Sequence, residues 1–224
     1  MARPMKSPRR NSERSRVDLA SRIRSYIDGE EAMGLLRKYY SGSYTGRRYD
    51  ELESPNPDRF TAEDIAAVAL LSVELRGRAV ETLLWTHADV LSDHLKRISH
   101  RPLHEVEDDG ELEPLWRLQE YFENQITGVG IGHVRRSKLL AHKRPHLVPI
   151  RDQHVLRALV DGTTKPLTRP LWQALRADSR IIDRLASLRT AIDRPQLSLI
   201  RVLDVIVWMK EGGDVQVPND PTGE

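Results

Sequence analysis

The sequence lacks cysteine, long apolar runs and almost any alternation of apolar and polar residues. Without cysteine it forms no disulfides and no cysteine-ligated zinc or iron–sulfur sites. This composition fits a reducing cytoplasm, where we expect the protein. No apolar run approaches membrane-spanning length, and none near the N-terminus resembles a signal peptide. The sequence therefore predicts no association with a membrane.

Helical periodicity extends along most of the chain. Apolar residues recur three and four positions apart from residue 17 onward, and patterns typical of strands are rare. We therefore predict an all-α fold, with one compact helical domain over residues 17–212. Residues 1–16 are rich in Arg, Ser and Pro and are predicted to form a disordered basic arm. Residues 213–224 are predicted to be a flexible tail.

Two local patterns mark particular helices. Thr61 and Asp64 have the spacing of a capping box. The helix predicted to follow, residues 62–75, is apolar on almost every side, which is typical of a helix central to a core. Nearer the C-terminus, Arg201 and Asp204 lie three residues apart on another apolar helix, where we expect them to pair.

Charge is unevenly distributed, although the net charge is only +2. Residues 125–170 carry nine Lys and Arg, two Asp and four of the eight histidines, whereas residues 105–123 carry eight acids and one Arg. A positive band is what binding to a phosphate backbone requires, and a solvated helix face is the other interpretation. The four histidines have no cysteine or suitably spaced carboxylate beside them, so we predict no metal site and no cofactor.

The most informative segment is ITGVGIGHVRRSKLLAHKRPHLVPIRDQHV, residues 126–155. A glycine-rich turn is followed by a basic helix, an extended stretch with a proline, and Asp152 at the start of another helix. Glycines between helices permit positive φ and let a DNA backbone approach the amides at the next helix start. Gly130–Gly132 fits this role with its central isoleucine packed inward, and Gly128–Gly130 is an alternative register.

This order of elements resembles the helix-hairpin-helix DNA glycosylase superfamily, with the motif at about 113–143. Asp152 lies 22 residues after Gly130, and the stretch Asp152–Val155 is similar to the family's Asp-x-His-Val. The resemblance covers about 30 residues closely. It implies a glycosylase-like fold in which an extruded nucleotide meets Asp152. That residue would stabilise positive charge on the sugar, or activate a water, as the base leaves.

The chain departs from that family at the position of the strand-cleaving lysine. Members that cleave the strand carry Lys four residues after the first hairpin glycine, where this chain has Val134 or, in the other register, Gly132. Lys138 lies one helical turn further along. The resemblance therefore implies a monofunctional enzyme of DNA repair, without a Schiff base. Segments 44–47, 60–64 and 137–141 also make the whole chain similar to an uncharacterised bacterial family.

The residues predicted to contact DNA lie in the turn, in the basic helix and in a loop rich in Tyr and Arg. Aromatic rings between cations are suited to stacking on bases, and the alternative is that the tyrosines anchor this loop on the protein itself. The predicted contacts to double-stranded DNA are Gly128, Gly130, Ile131, Gly132, His133, Arg135, Arg136, Lys138, Lys143, Arg144, Tyr44, Arg47 and Arg48.

Three functions are compatible with these patterns. The leading hypothesis is a DNA-binding protein of glycosylase-like fold, with Asp152 as the catalytic residue of a monofunctional DNA N-glycosylase. The second is a helix-hairpin-helix module that binds DNA without catalysis and in which Asp152 only caps a helix. The third is a helical domain for protein interaction or regulation.

Overall fold

The computed structural model describes residues 18–162 and 166–212, so the predicted basic arm, Val17 and the predicted tail lie outside the described residues. Within these ranges every regular element is helical, which confirms the all-α prediction for them. The α-helices, numbered α1 to α12 in chain order, are Leu19–Ile27, Glu31–Ser41, Gly46–Tyr49, Ala62–Ala69, Gly77–Glu81, Ala88–Leu95, Glu113–Gln125, His133–Lys143, Gln153–Val160, Thr168–Ala177, Ser179–Ala191 and Leu199–Glu211. A π-helical turn, Thr82–Thr86, joins α5 to α6, and the 3₁₀ segments Leu103–Glu105 and Asp109–Leu112 precede α7. None of the described helices combines the length and the apolar character needed to cross a membrane.

Helix α12 is the centre of the hydrophobic core. Every residue from Leu199 to Val207 is buried, and the helix packs against α1, α2, α9 and α11. Neighbours on nearly all sides explain why most residues of α12 are apolar. The Ser198 hydroxyl caps the helix, accepting the Arg201 backbone N–H at 3.1 Å.

The prediction that residues 62–75 form the central helix is wrong, because α4 ends at Ala69. Its capping box is confirmed, with the Thr61 N–H donating to Asp64 Oδ2 at 2.7 Å. The chain then turns, and Ser72 has a φ of +58°. Ala66 and Ala69 face solvent, because exposed alanines count as apolar in a sequence pattern but do not need burial.

The segment that carries the predicted motif runs from α7 through α8 to α9. Residues 126–132, which we call the glycine loop, join α7 to α8. Helix α8 packs against α4, and its C-terminal end leads through a turn at 145–147 into the buried stretch 148–151. The Ser137 hydroxyl accepts the Arg151 N–H at 3.0 Å, which holds this stretch against α8 and brings the start of α9 beside it.

Candidate functional site

The glycine loop presents backbone rather than side chains at the surface. Gly128 and Gly130 have φ of +72° and +85°, values that residues with a Cβ rarely adopt. A Cβ built on either residue, or on Gly132, would meet no atom of the described residues within 4 Å. Ile131 is only 7% exposed and anchors the loop in the core, which favours the Gly130–Gly132 register. The loop thus holds open backbone at the start of α8.

Helix α8 keeps most of its positive charge inside the protein. Arg136, Lys138, Lys143 and Arg144 are each at most 6% exposed, which corrects the expectation of an exposed basic face. The partners lie on other elements, because the helix packs inward on the side that carries these cations. The partners are the Glu123 carboxylate for Arg136, the Leu71 carbonyl for Lys138, the Asp64 carboxylate for Lys143, and the Asp58 carboxylate with the carbonyls of Pro57, Leu95 and Ile98 for Arg144.

Two polar residues at the start of α8 remain accessible. His133 is exposed as a whole residue. Partial burial of its ring, together with the nearby guanidinium groups of Arg151 and Arg136, lowers its pKa, so the ring is neutral at pH 7. Arg135 is half-buried, and its Nε donates to the Glu74 carbonyl at 2.9 Å.

The contact between Arg135 and Glu74 brings residues 72–76 beside the glycine loop. Arg76 at the end of this segment and Arg78 just after it are exposed, and sequence reasoning missed both. The accessible positive charge near the loop therefore comes from two separate stretches of chain.

The loop rich in Tyr and Arg is anchored on the protein. Tyr44 stacks on Tyr39 with ring centroids 5.5 Å apart and an interplanar angle of 12°, and it meets Trp208 edge to face at 5.9 Å. A Cβ on Gly46 would lie 2.1 Å from the Tyr39 hydroxyl, so only glycine permits this packing. Most of the tyrosines thus serve the fold, and Tyr44 remains half-buried at the edge of a cavity.

The predicted cationic residues of the same loop are less available than their sequence positions indicate. Arg48 is exposed but pairs with Glu51 three residues later. Arg47 is half-buried, and its Nε is buried without a hydrogen-bond partner among the described residues. The loop therefore offers little unpaired positive charge at the surface.

A cavity of about 640 Å³ opens beside these aromatic rings. Its apolar wall includes Tyr44 and Trp208, together with leucines of the turn after α4. Its polar wall combines side chains from α8, from the start of α9 and from α12. These polar residues are Lys138, Asp152, His154, Arg201 and Asp204.

Asp152 both caps α9 and lines the cavity. Its Oδ1 accepts the His154 backbone N–H at 2.9 Å, and its backbone has the extended conformation typical of an N-cap. The residue is half-buried. Asp152 therefore caps the helix and faces the cavity in one conformation, so the two predicted roles of this residue are compatible.

Lys138 adds a cation to the same wall. Burial lowers its pKa, while the carboxylates of Asp152 and Asp204 act in the opposite direction. Its Nζ donates to the Leu71 carbonyl at 2.9 Å. Although Lys138 lies a helical turn beyond position 134, the inward side of α8 brings it to the cavity.

Asp204 is the residue of this wall whose role sequence reasoning missed. It is 6% exposed, and its Oδ2 pairs with Arg201 as the spacing of the two residues predicts. Its Oδ1 is buried and has no hydrogen-bond partner in the described part of the chain. Burial raises the pKa of Asp204 to about 6, with further contributions from Asp152 and Asp50, while Arg201 lowers it. The only local signal was an acid on an otherwise apolar helix.

A second cavity of about 380 Å³ adjoins the first. Ile150, Arg201 and Asp204 belong to both walls. Arg201 is held by Asp50, whose Oδ1 accepts from its Nε at 2.7 Å, and by the Tyr39 hydroxyl at 2.8 Å. In residues 18–162 and 166–212, no three His, Asp or Glu side chains are grouped so that they could hold a metal ion.

The structure thus defines an all-helical protein with an open glycine loop and a polar, aromatic-walled cavity. The chain belongs to the family of unknown function DUF6308, whose model matches residues 32–211, as the resemblance to an uncharacterised family predicted. The matched region includes the glycine loop, Asp152 and Asp204. Neither the curated proteins nor the solved structures provide a match to the chain.

Proposed function

We propose that the protein binds double-stranded DNA and removes a base from it as a monofunctional DNA N-glycosylase. The observation that carries this proposal is the position of Asp152. It follows the glycine loop by one helix and one extended stretch, and it lines a cavity of about 640 Å³, within the size range of small-ligand pockets. A nucleobase and part of its sugar fit such a volume.

The glycine loop is the proposed contact to the DNA backbone. Its open outer surface lets a phosphate reach the amide groups at the start of α8, and the helix dipole favours an anion there. Arg135, Arg76 and Arg78 add accessible positive charge nearby. Since the interior cations of α8 do not take part, we expect a modest salt dependence for this grip.

In the proposed reaction, the target nucleotide leaves the stack and its base enters the cavity. The bond between C1′ of the sugar and the base nitrogen breaks with its electron pair on the base, and positive charge develops on the sugar. The Asp152 carboxylate stabilises that charge. Water then adds its oxygen to C1′, and the proton that this water loses neutralises the base anion, which leaves an abasic site and a neutral free base. Val134 supplies no amine, and the Lys138 amino group is bonded to the Leu71 carbonyl, so we expect no Schiff base and an intact strand.

The test is excision from duplexes that carry different damaged bases, with wild type and Asp152→Asn. Asparagine caps helices about as well as aspartate, so folding and DNA affinity should be kept while turnover falls by at least about 100-fold. Asp178→Asn is the matched control, because Asp178 caps α11 in the same way through the Arg180 N–H and lies outside the cavity wall. Turnover that survives Asp152→Asn would overturn the catalytic assignment.

A DNA-binding protein without catalysis is the second candidate. It is favoured by the capping bond of Asp152, which by itself accounts for an aspartate at this position. Affinity at fixed salt for an undamaged duplex and for one with an abasic-site analogue separates the candidates. Preference for the abasic duplex supports the glycosylase, and equal affinity supports the non-catalytic module. Absence of binding to either supports a helical interaction domain.

A further inference from the structure

We propose that Asp204 selects what the cavity accepts, by taking a hydrogen bond on Oδ1 from an amino group on the edge of a planar heterocycle. The ligand class rests on the proposed function, because it takes the occupant to be a nucleobase. The inference adds which bases are preferred, namely those that carry an amino group.

The two oxygens of Asp204 have different environments. Oδ2 pairs with the Arg201 guanidinium, which Asp50 also holds. Oδ1 is buried and has no partner within the described structure. A buried acceptor without a partner is destabilising, and most such atoms in proteins are bonded. A donor that entered the cavity would remove that penalty, so Oδ1 is an acceptor prepared for a ligand.

Asp204 lies in the wall of the larger cavity as well as in the wall of the smaller one. Asp152 and Lys138 line the larger cavity with it, whereas Asp50 lines only the smaller one. A ligand in the larger cavity would therefore meet Asp204 within the same polar wall as Asp152 and Lys138.

The other wall determines the shape of the ligand. Tyr44 and Trp208 pack edge to face, and Leu71 and Val205 extend the apolar surface beside them. Aromatic and aliphatic walls of this kind favour a flat ring, because they remove its faces from water. A ring in this cavity would have apolar contact on its face and an anionic acceptor at its edge. An amino-bearing base meets both conditions.

Two small probes test this without DNA. 9-Methyladenine and 9-methylpurine share a ring, and the methyl group blocks the N9–H of both, so they differ only in the amino group. We would titrate each probe into the full chain and follow the NMR signal of the Trp208 indole N–H. That signal is assigned because it is absent from the spectrum of Trp208→Phe. We expect 9-methyladenine to bind at least roughly tenfold more tightly, as expected for a hydrogen bond to a charged group.

Two variants assign the preference to Asp204. Asp204→Leu keeps the branching of the side chain and has no acceptor, so the two probes should bind equally. Asp50→Asn is the matched control, because it disturbs the same Arg201 cluster but lines only the smaller cavity, and the preference should remain. Should Asp204→Leu fail to fold, the wild-type comparison still tests the inference, because equal binding of the two probes would overturn it.

Equal binding of the probes to wild type, or no binding of either, overturns the inference. Probe binding requires no turnover, so its result is independent of the excision assay. If the protein excises a base but binds the two probes equally, only the role of Asp204 is rejected. If it prefers 9-methyladenine but excises no base, the role of Asp204 is kept and the glycosylase is rejected.

Discussion

In the interior, Nδ1 of His142 lies 2.6 Å from Oδ1 of Asp64, and the other ring nitrogen lies 2.7 Å from the Leu52 carbonyl oxygen. Both ring nitrogens face oxygen acceptors. The Lys143 ammonium pairs with the second Asp64 oxygen. Asp64 is therefore a completely buried carboxylate between the His142 ring and the Lys143 ammonium. Burial acts to raise the pKa of Asp64, but the bonds from His142 and Lys143 outweigh it and lower that pKa.

Asp64→Asn should destabilise the protein by about 3–5 kcal/mol, because it leaves the buried Lys143 ammonium without its carboxylate partner. Urea unfolding at pH 7 measures the change. Since the pKa of Asp64 is lowered on folding, its contribution is present above pH 3.8 and is lost as pH falls through the folded-state pKa. Asp93→Asn, at an exposed pair with Lys96 on α6, is the control and should change stability little. Equal effects of the two substitutions would contradict the role of Asp64.

Asp204 should give the opposite pH dependence. Its pKa is raised from 3.8 to about 6 on folding, so its contribution to stability is greatest at low pH and is lost as pH rises through that window. Relative to Asp204→Asn, the free energy of unfolding of wild type should fall by at most about 1.4 kcal/mol per pH unit between pH 3.8 and about 6. Urea unfolding of both proteins from pH 4 to pH 7 measures this. A difference that stays constant, or grows in favour of wild type as pH rises, would be inconsistent with it.

Gly130→Ala should lower the free energy of unfolding by about 1–2 kcal/mol, because alanine is strained at a φ of +85° whatever space surrounds it. The control is Gly34→Ala, at an exposed helical position within α2 where a Cβ meets no described atom. There alanine should stabilise the protein by about 0.5–1 kcal/mol. The midpoint temperatures of thermal unfolding of the two variants should therefore shift in opposite directions. A shift in the same direction would show that Gly130 does not need its left-handed backbone.

Arg135→Ala should weaken binding to an undamaged duplex and reduce the slope of log affinity against log salt by about one, if the glycine loop holds DNA as proposed. Fluorescence anisotropy at several salt concentrations provides both quantities. Arg180→Ala removes a charge that pairs with Asp178 at the start of α11, and it should leave both unchanged. A similar loss in the two variants would indicate a diffuse charge effect rather than a contact.

The local features of this fold could be predicted from the sequence. Three of these features depend on residues a few positions apart, and all three occur in the structure. They are the helix periodicity, the capping box at Thr61 and the N-cap at Asp152. The central helix was assigned wrongly because composition does not distinguish buried alanines from exposed ones. Helix α12 is the buried one, although Arg201 and Asp204 are among its buried residues.

The candidate site was less predictable because its parts come from distant stretches. Charged residues are rarely buried, so the sequence of α8 indicates an exposed basic face. Arg144, however, meets Asp58 86 residues earlier in the chain. Tyr44 and Trp208 are likewise distant in the sequence but pack against each other at the cavity, and no local pattern predicts this contact. Asp152, Lys138 and Tyr44 were each selected from the sequence, but no local pattern indicated that they line one cavity.

The wall that the two cavities share has a consequence for inhibitor design. Because Ile150, Arg201 and Asp204 face both spaces, a compound that fills the smaller one would press on the side chains that shape the larger one. Such a compound would not compete with whatever occupies the larger cavity. It would change the affinity of the larger cavity for its ligand without occupying that cavity. The smaller cavity is thus a second point of chemical control over the same protein.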